Sequence, residues 1–256
     1  PSVRRQRQMC IRDRSEYFQP HFKPDFNLDL LRSNNYICHF FVVRREIAEK
    51  TGGLRPEYNG AQDYDYIFRC TEMAGKIVHI PRVLYHWRVH SASTADNPAS
   101  KLYAYEAGKK AIEGNLARCG EEGTVTLRSD YGFYDVDYKL QGTPLVSILI
   151  PNKDQADTLR TCLESIKKKC MYPSYEILII ENNSTEEATF SYYKELEAQG
   201  IRVLKYPKQG FNYSAINNFG VKEAKGEYLL FLNNDMEIIT PDFMEKMVSN
   251  LQRPQI

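Results

Sequence analysis

The chain has no run of 18 consecutive apolar residues, so no membrane-crossing helix is encoded. It has almost no net charge, since 34 Lys and Arg against 33 Asp and Glu leave +1; nucleic acid or an anionic membrane is therefore not expected as a general partner. Metal-type cysteine spacing is also missing. Cys10, Cys38, Cys70, Cys119, Cys162 and Cys170 are scattered, with seven residues inside the closest pair, and a reduced cytoplasmic chain is the simplest reading. What is present is an ordinary globular balance, 42% hydrophobic and 26% charged, in a length of 256 residues that suits one large core or two small ones.

The charge is unevenly placed. Residues 1–14, PSVRRQRQMCIRDR, hold Arg4, Arg5, Arg7, Arg12 and Arg14 against Asp13 alone. The segment lacks the apolar stretch of a secretion signal. It resembles the translation of a sequencing adapter, and is expected to be a non-native head on a chain that begins mid-gene.

The remainder reads as three parts. From residue 143 onward the pattern is that of an α/β fold with a mainly parallel, doubly wound sheet. VSILIP (146–151), YEILIIE (175–181), IRVLKY (201–206) and EYLLFLNN (227–234) are apolar strands separated by helices. Leu159, Cys162, Leu163 and Ile166 mark one helix face, Ser184 and Glu187 a capping box, Gly200 a helix end and Gly226 another. Residues 15–98 read differently. YICHFFVVRR alternates only loosely, a helix after Gly60 is expected to bury Ile67, Cys70, Met73 and Ala74, and KIVHIPRVLYHWRVH suggests one or two strands interrupted at Pro81. Residues 99–142 form a connector, a helix-favouring segment followed by a hairpin turned at Asp130 to Gly132.

Each strand of the third part ends in groups suited to a nucleotide. Asn152, Lys153 and Asp154 follow the first, Glu181 ends the second, and Asn233, Asn234 and Asp235 end the fourth. In a parallel sheet these tips share one edge, where a carboxylate can accept hydrogen bonds from ribose or base. Asp235 would face phosphates through a divalent cation, because like charges do not approach without one. Taken singly, each residue has a plainer role as turn cap, strand end or surface charge.

VSILIPNKD, IIENNS and FNYSAINNFGVKEAKGEYLLFLNND resemble, in order and spacing, the N-terminal half of family-2 glycosyltransferases of the GT-A fold. The resemblance implies a nucleotide-diphosphate sugar site on Pro151, Asn152, Lys153, Asp154, Glu181, Asn183, Asn217, Asn234 and Asp235, with Mg or Mn on Asp235. Asn233 stands where the family's metal motif has its first Asp, and Glu181 stands where Asp is usual. GAQDYDYIFR and LYHWRVHSAST resemble the family's acceptor half, which implies Asp63 as catalytic base, Arg88 as a donor-site residue and His90 as a second metal ligand. Asp65 is read as structural.

The implied reaction is sugar transfer with inversion to a glycan or lipid-linked glycan acceptor in cell-surface polysaccharide synthesis, in the cytoplasm or at the inner face of the membrane, with peripheral membrane association left open. The acceptor half precedes the nucleotide half, the reverse of a complete domain. This order implies a segment of a tandem protein, carrying the end of one domain and the start of the next, whose halves either stay apart or dock through the connector. A non-catalytic nucleotide-sugar-binding module and a nucleotidyltransferase remain alternatives. The latter would carry a glycine-rich phosphate loop that PNKDQAD lacks.

Overall fold

The computed structural model describes residues 6–12, 16–88, 102–254 and 256, with side chains for 21–86, 102–254 and 256. The chain forms two compact units, residues 1–139 and 140–256.

In the first unit, β1 (Gln6–Arg12) lies between β2 (Glu16–Lys23), which is antiparallel to it, and β3 (Tyr85–Arg88), which is parallel. Part of the basic head is thus strand. The segment 76–84 is irregular, so KIVHIPRVLYHWRVH contributes a single described strand. Helix α1 (Leu28–Ser33) is capped by Asn27, whose side chain accepts the Leu30 N–H at 2.8 Å. Residues 36–44 form neither helix nor strand, and α2 (Arg45–Thr51) closes on Gly52 at φ 77°, a left-handed turn that glycine adopts without strain.

Helix α3 (Gln62–Met73) buries Ile67 and Cys70 as its spacing predicts, but Met73 is exposed. The apolar face is centred on Tyr64 and Phe68, whose rings stack at 4.9 Å. Met73 lies nine residues after Tyr64, which at about 100° per residue puts it on the opposite side of the helix. The same geometry separates two neighbouring carboxylates. Asp63 stands half-buried, whereas Asp65 is fully buried between Arg55 Nε at 3.0 Å and Arg69 Nη2 at 2.8 Å. Burial works to raise the Asp65 pKa, but hydrogen bonds from Arg55 and Arg69 outweigh it and hold the carboxyl below its usual range.

Residues 102–139 of the connector join this unit's core. Helix α4 (Leu102–Cys119) and the hairpin β4 (Gly123–Leu127) and β5 (Tyr134–Tyr138) bring Ala111, Ile112, Val125 and Tyr134 against Tyr64 and Phe68. The hairpin turns where expected, with Phe133 N–H donating to the Asp130 carbonyl at 3.1 Å. Around one groove of this unit Phe40, Val42, Val78, Ile80 and Leu84 remain exposed.

The second unit is the expected doubly wound parallel sheet. Strands β6 (Val146–Asn152), β7 (Tyr175–Glu181), β8 (Arg202–Lys205) and β9 (Tyr228–Phe231) are all parallel, in the order β8-β7-β6-β9. Strand alternation sends Ile148 and Ile150 to one face, where they meet Leu159, Leu163 and Ile166 of α5 (Ala156–Lys169). Leu149 goes to the other face, against Ile216 of α7 (Tyr213–Glu223). Helices α6 (Glu187–Ala198) and α8 (Phe243–Leu251) complete the first of these layers through Tyr192, Leu196, Met244 and Val248.

Two local expectations need correction. Helix α6 has no Ser184–Glu187 capping box; its N-cap is Glu186, with no side-chain cap bond. Nor does Gly226 cap α7, which ends through Ala224. Gly226 instead presses on β6, where an added Cβ would lie 2.5 Å from Ser147 N, and its N–H donates to Ser147 Oγ at 2.8 Å.

Gly226→Ala should therefore force backbone apart and cost about 1–3 kcal/mol, read as a lower urea midpoint for the second unit. Asp65→Ala should strand two arginines and cost about 3 kcal/mol, while Asp63→Ala should cost under about 1 kcal/mol. Because the Asp65 pKa is depressed, its stabilisation is full above the ordinary carboxylate range and fades as pH falls through the folded value. Urea titrations at neutral and acid pH should show the Asp65→Ala deficit shrinking on acidification; an unchanged deficit would contradict the ion-pair assignment.

Candidate functional site

The chain steps from β6 to β7 to β8 in one direction, then returns past β6 to place β9 on its other side. Helices packed on opposite faces diverge at such a reversal, and the crevice opens at the carboxyl ends of the two strands that flank it. Those ends carry Asn152 and the Asn233–Asp235 segment.

Asn152 is buried, and three groups satisfy its amide. Its Nδ2 donates to Tyr193 Oη at 2.7 Å and to the Asp154 carbonyl at 2.9 Å, while its Oδ1 accepts from Asn234 Nδ2 at 2.6 Å. The last of these bonds ties the two strand ends across the crevice. Its backbone carbonyl also accepts the Asn182 N–H at 2.8 Å, which joins the end of β7 to the same edge.

Asp154 sits at φ 53°, and its carboxylate meets the segment that leads into α6. Its Oδ1 accepts the N–H groups of Thr185 at 2.7 Å and Glu186 at 2.9 Å. The Glu186 bond and then the Thr185 bond hold its carboxyl below the usual range. Asp154 thus ties down the entry to α6 from the loop after β6. Ser184 is used differently, its Oγ accepting the Asp154 N–H at 2.9 Å and its N–H donating to Glu181 Oε1 at 2.5 Å. Glu181 is buried at the β7 tip with one oxygen engaged in this way.

Among the remaining expected residues, Pro151 is half-buried in β6, and Lys153 and Asp235 are exposed. Asn183, at φ 59°, donates to Asn182 Oδ1 and to the Lys208 carbonyl. Asn217 is buried one turn into α7. Its Nδ2 donates to the Tyr213 carbonyl at 2.9 Å, and its Oδ1 is buried with no hydrogen-bond partner. Asp235 stands beside Cys162, whose thiol is pushed up to about 11, chiefly by burial and further by the Asp235 charge. Asn233 and Asp235 offer exposed oxygen donors, the type a hard divalent cation takes.

Asp63 lies in the first unit, its Oδ2 accepting from Asn35 Nδ2 at 3.1 Å. Its carboxylate, the Cys38 thiol and a His39 ring nitrogen lie within 4.8 Å of one another. Burial, then the Asp63 charge, pushes the Cys38 thiol up to about 11. Arg88 is the last residue of β3, and His90 lies outside the described residues.

Sequence reading did not single out Tyr193, Ser184, Asn35, Cys38 or His39 as site residues. Tyr193 looks like any residue on the buried face of α6, and nothing in its spacing marks the hydroxyl as the partner of Asn152.

Residues 147–256 match the model of the family described as Glycosyl transferase family 2. The chain is 44% identical over 237 residues, 93% of its length, to the O-antigen biosynthesis protein RfbC of Myxococcus xanthus, and covers 18% of that protein. It is 40% identical over 241 residues, 92% of its length, to the uncharacterized protein y4gI of Sinorhizobium fredii, and covers 26% of it. Among solved structures, a mannosyltransferase from Pyrobaculum calidifontis in complex with GDP-Man and Mn2+ is similar with TM-score 0.40 and 16% identity, over 62% of this chain and 44% of that one. The chain therefore spans about a fifth to a quarter of the curated relatives named here. The likeness to glycosyltransferase family 2 thus rests on residues 147–256, less than half of the chain.

Proposed function

We propose that the second unit is the nucleotide-sugar-binding half of a GT-A glycosyltransferase domain, and that the first unit is the acceptor half of the domain before it in a tandem protein of cell-surface polysaccharide synthesis. The observation that carries the donor site is the Asn152–Asn234 bond at the sheet reversal, which holds the β6 and β9 ends together with Asp235 exposed beside them. The tandem reading is supported by the match to RfbC, which covers 93% of this chain and so extends into both units.

On this reading Glu181 and Asn183 take the ribose and base, Asn217 presents its unpaired oxygen toward them, and Pro151 and Lys153 line the approach. Asn152, Asp154 and Asn234 keep the edge in register. Asp235 holds Mg or Mn against the diphosphate, and when bound that ion would offset the charge on the departing nucleotide. In the preceding domain, Asp63 accepts the proton of the attacking acceptor hydroxyl in a single inverting displacement, with Arg88 toward the donor phosphates and His90 on the metal. The acceptor is a glycan or lipid-linked glycan, reached in the cytoplasm or at the inner face of the membrane.

Calorimetric titration with UDP- and dTDP-sugars should give binding that requires Mn2+ and is lost in Asp235→Ala, with the far-ultraviolet spectrum unchanged. Binding indifferent to both would overturn the donor site. In the longer protein, Asp63→Ala should lower sugar transfer about 10²–10⁴-fold, the range of general base help, while leaving donor binding intact. Donor binding with transfer unaffected by Asp63→Ala would favour a binding module.

A further inference from the structure

We propose that Cys38, His39 and Asp63 of the first unit form a second metal site, one that takes a borderline-soft divalent cation of the zinc type. A thiol, an imidazole and a carboxylate present one ligand atom each within 4.8 Å. That mixed sulfur, nitrogen and oxygen set suits zinc, and it differs in kind from the exposed oxygen donors of Asn233 and Asp235, which suit magnesium or manganese.

The local backbone explains how adjacent residues come to share a site. In an extended segment successive side chains point to opposite sides, so Cys38 and His39 would ordinarily diverge. Cys38 instead has φ 37°, a left-handed conformation that residues with a side chain seldom adopt. The result is convergence of both side chains on Asp63 at the start of α3.

The frame around the three is also built. Asn35 spans the cluster, accepting the Cys38 N–H on Oδ1 at 3.1 Å and donating from Nδ2 to Asp63 Oδ2 at 3.1 Å. A ligand carboxylate oriented by a hydrogen bond of this kind is a usual outer support of a metal. Lys23, whose charge opposes a cation, is drawn onto the carbonyls of Ile37 and His39, where it anchors the loop from its backbone side. Three protein ligands leave a fourth position for water or an exogenous ligand. Cys38 binds as thiolate, its proton passing to solvent.

The site goes beyond the donor-site reading and does not depend on it. It does bear on Asp63, since a carboxylate committed to a cation is a poor proton acceptor. Zinc is therefore expected to slow transfer wherever Asp63 is the base.

Titration of the whole chain with Co2+, without nucleotide, tests the site. One equivalent should produce a thiolate-to-cobalt charge-transfer band and the visible bands of a tetrahedral ion, and Zn2+ should displace both. Cys38→Ser should abolish the charge-transfer band, and His39→Gln and Asp63→Asn should weaken binding about tenfold or more. Asp235→Ala should leave the spectrum unchanged, which separates this site from the donor site. Independently of any variant, Zn2+ should protect Cys38 from alkylation, read by mass spectrometry of the intact-chain digest. No thiolate band on the folded chain, a band that survives Cys38→Ser, or alkylation of Cys38 unchanged by Zn2+ would each overturn the proposal.

Discussion

Asn152 is buried at the carboxyl end of β6, beyond the last residue that pairs with β9, so its amide must be satisfied by the protein. Asn152 meets that requirement with one side chain, which reaches Tyr193, the Asp154 carbonyl and Asn234. Each partner belongs to a different stretch of chain. The need to satisfy one buried amide thus aligns α6, the loop after β6 and the end of β9. Asp235 is left exposed next to this network because the residue before it is tied down.

The rest of the edge follows from the same economy of donors and acceptors. The loop after β6 passes through two residues with positive φ, Asp154 and Gln155, and this turns the Asp154 carboxylate onto the start of α6. Ser184 then links Asp154 to Glu181, so that the segments after β6 and β7 are hydrogen-bonded to each other. On the donor-site reading proposed above, a nucleotide approaching this edge would meet groups whose geometry is already set, which lowers the ordering cost of binding.

Much of this was legible in the sequence where one periodicity governs. Four apolar runs and the Leu159, Cys162, Leu163, Ile166 face give the parallel unit directly, because a strand walled in on both faces has to be apolar throughout. The strand reading of EYLLFLNN ran too far, since β9 pairs with β6 only through Phe231 and the polar residues after it belong to the crevice. The Ser184–Glu187 capping box misled because Ser184 is engaged by Asp154 and Glu181 instead, and long-range contacts of that kind leave no local trace. Gly226 was recognised as necessary for the wrong reason, its role being close approach to Ser147. In the first unit the division of roles between Asp63 and Asp65 came from the resemblance, and the approach of Cys38 and His39 to Asp63, with Cys38 in a left-handed conformation, follows no pattern in the sequence.

The central claim is that the crevice between the β6 and β9 ends binds a nucleotide sugar through a cation on Asp235. Paramagnetic broadening of backbone amide resonances by Mn2+, with a nucleotide sugar present, reads the ion's position without relying on turnover. The broadening should centre on residues 233–236 and reach 152–154, and it should disappear in Asp235→Ala. Broadening centred elsewhere, or unchanged by that substitution, would contradict the account.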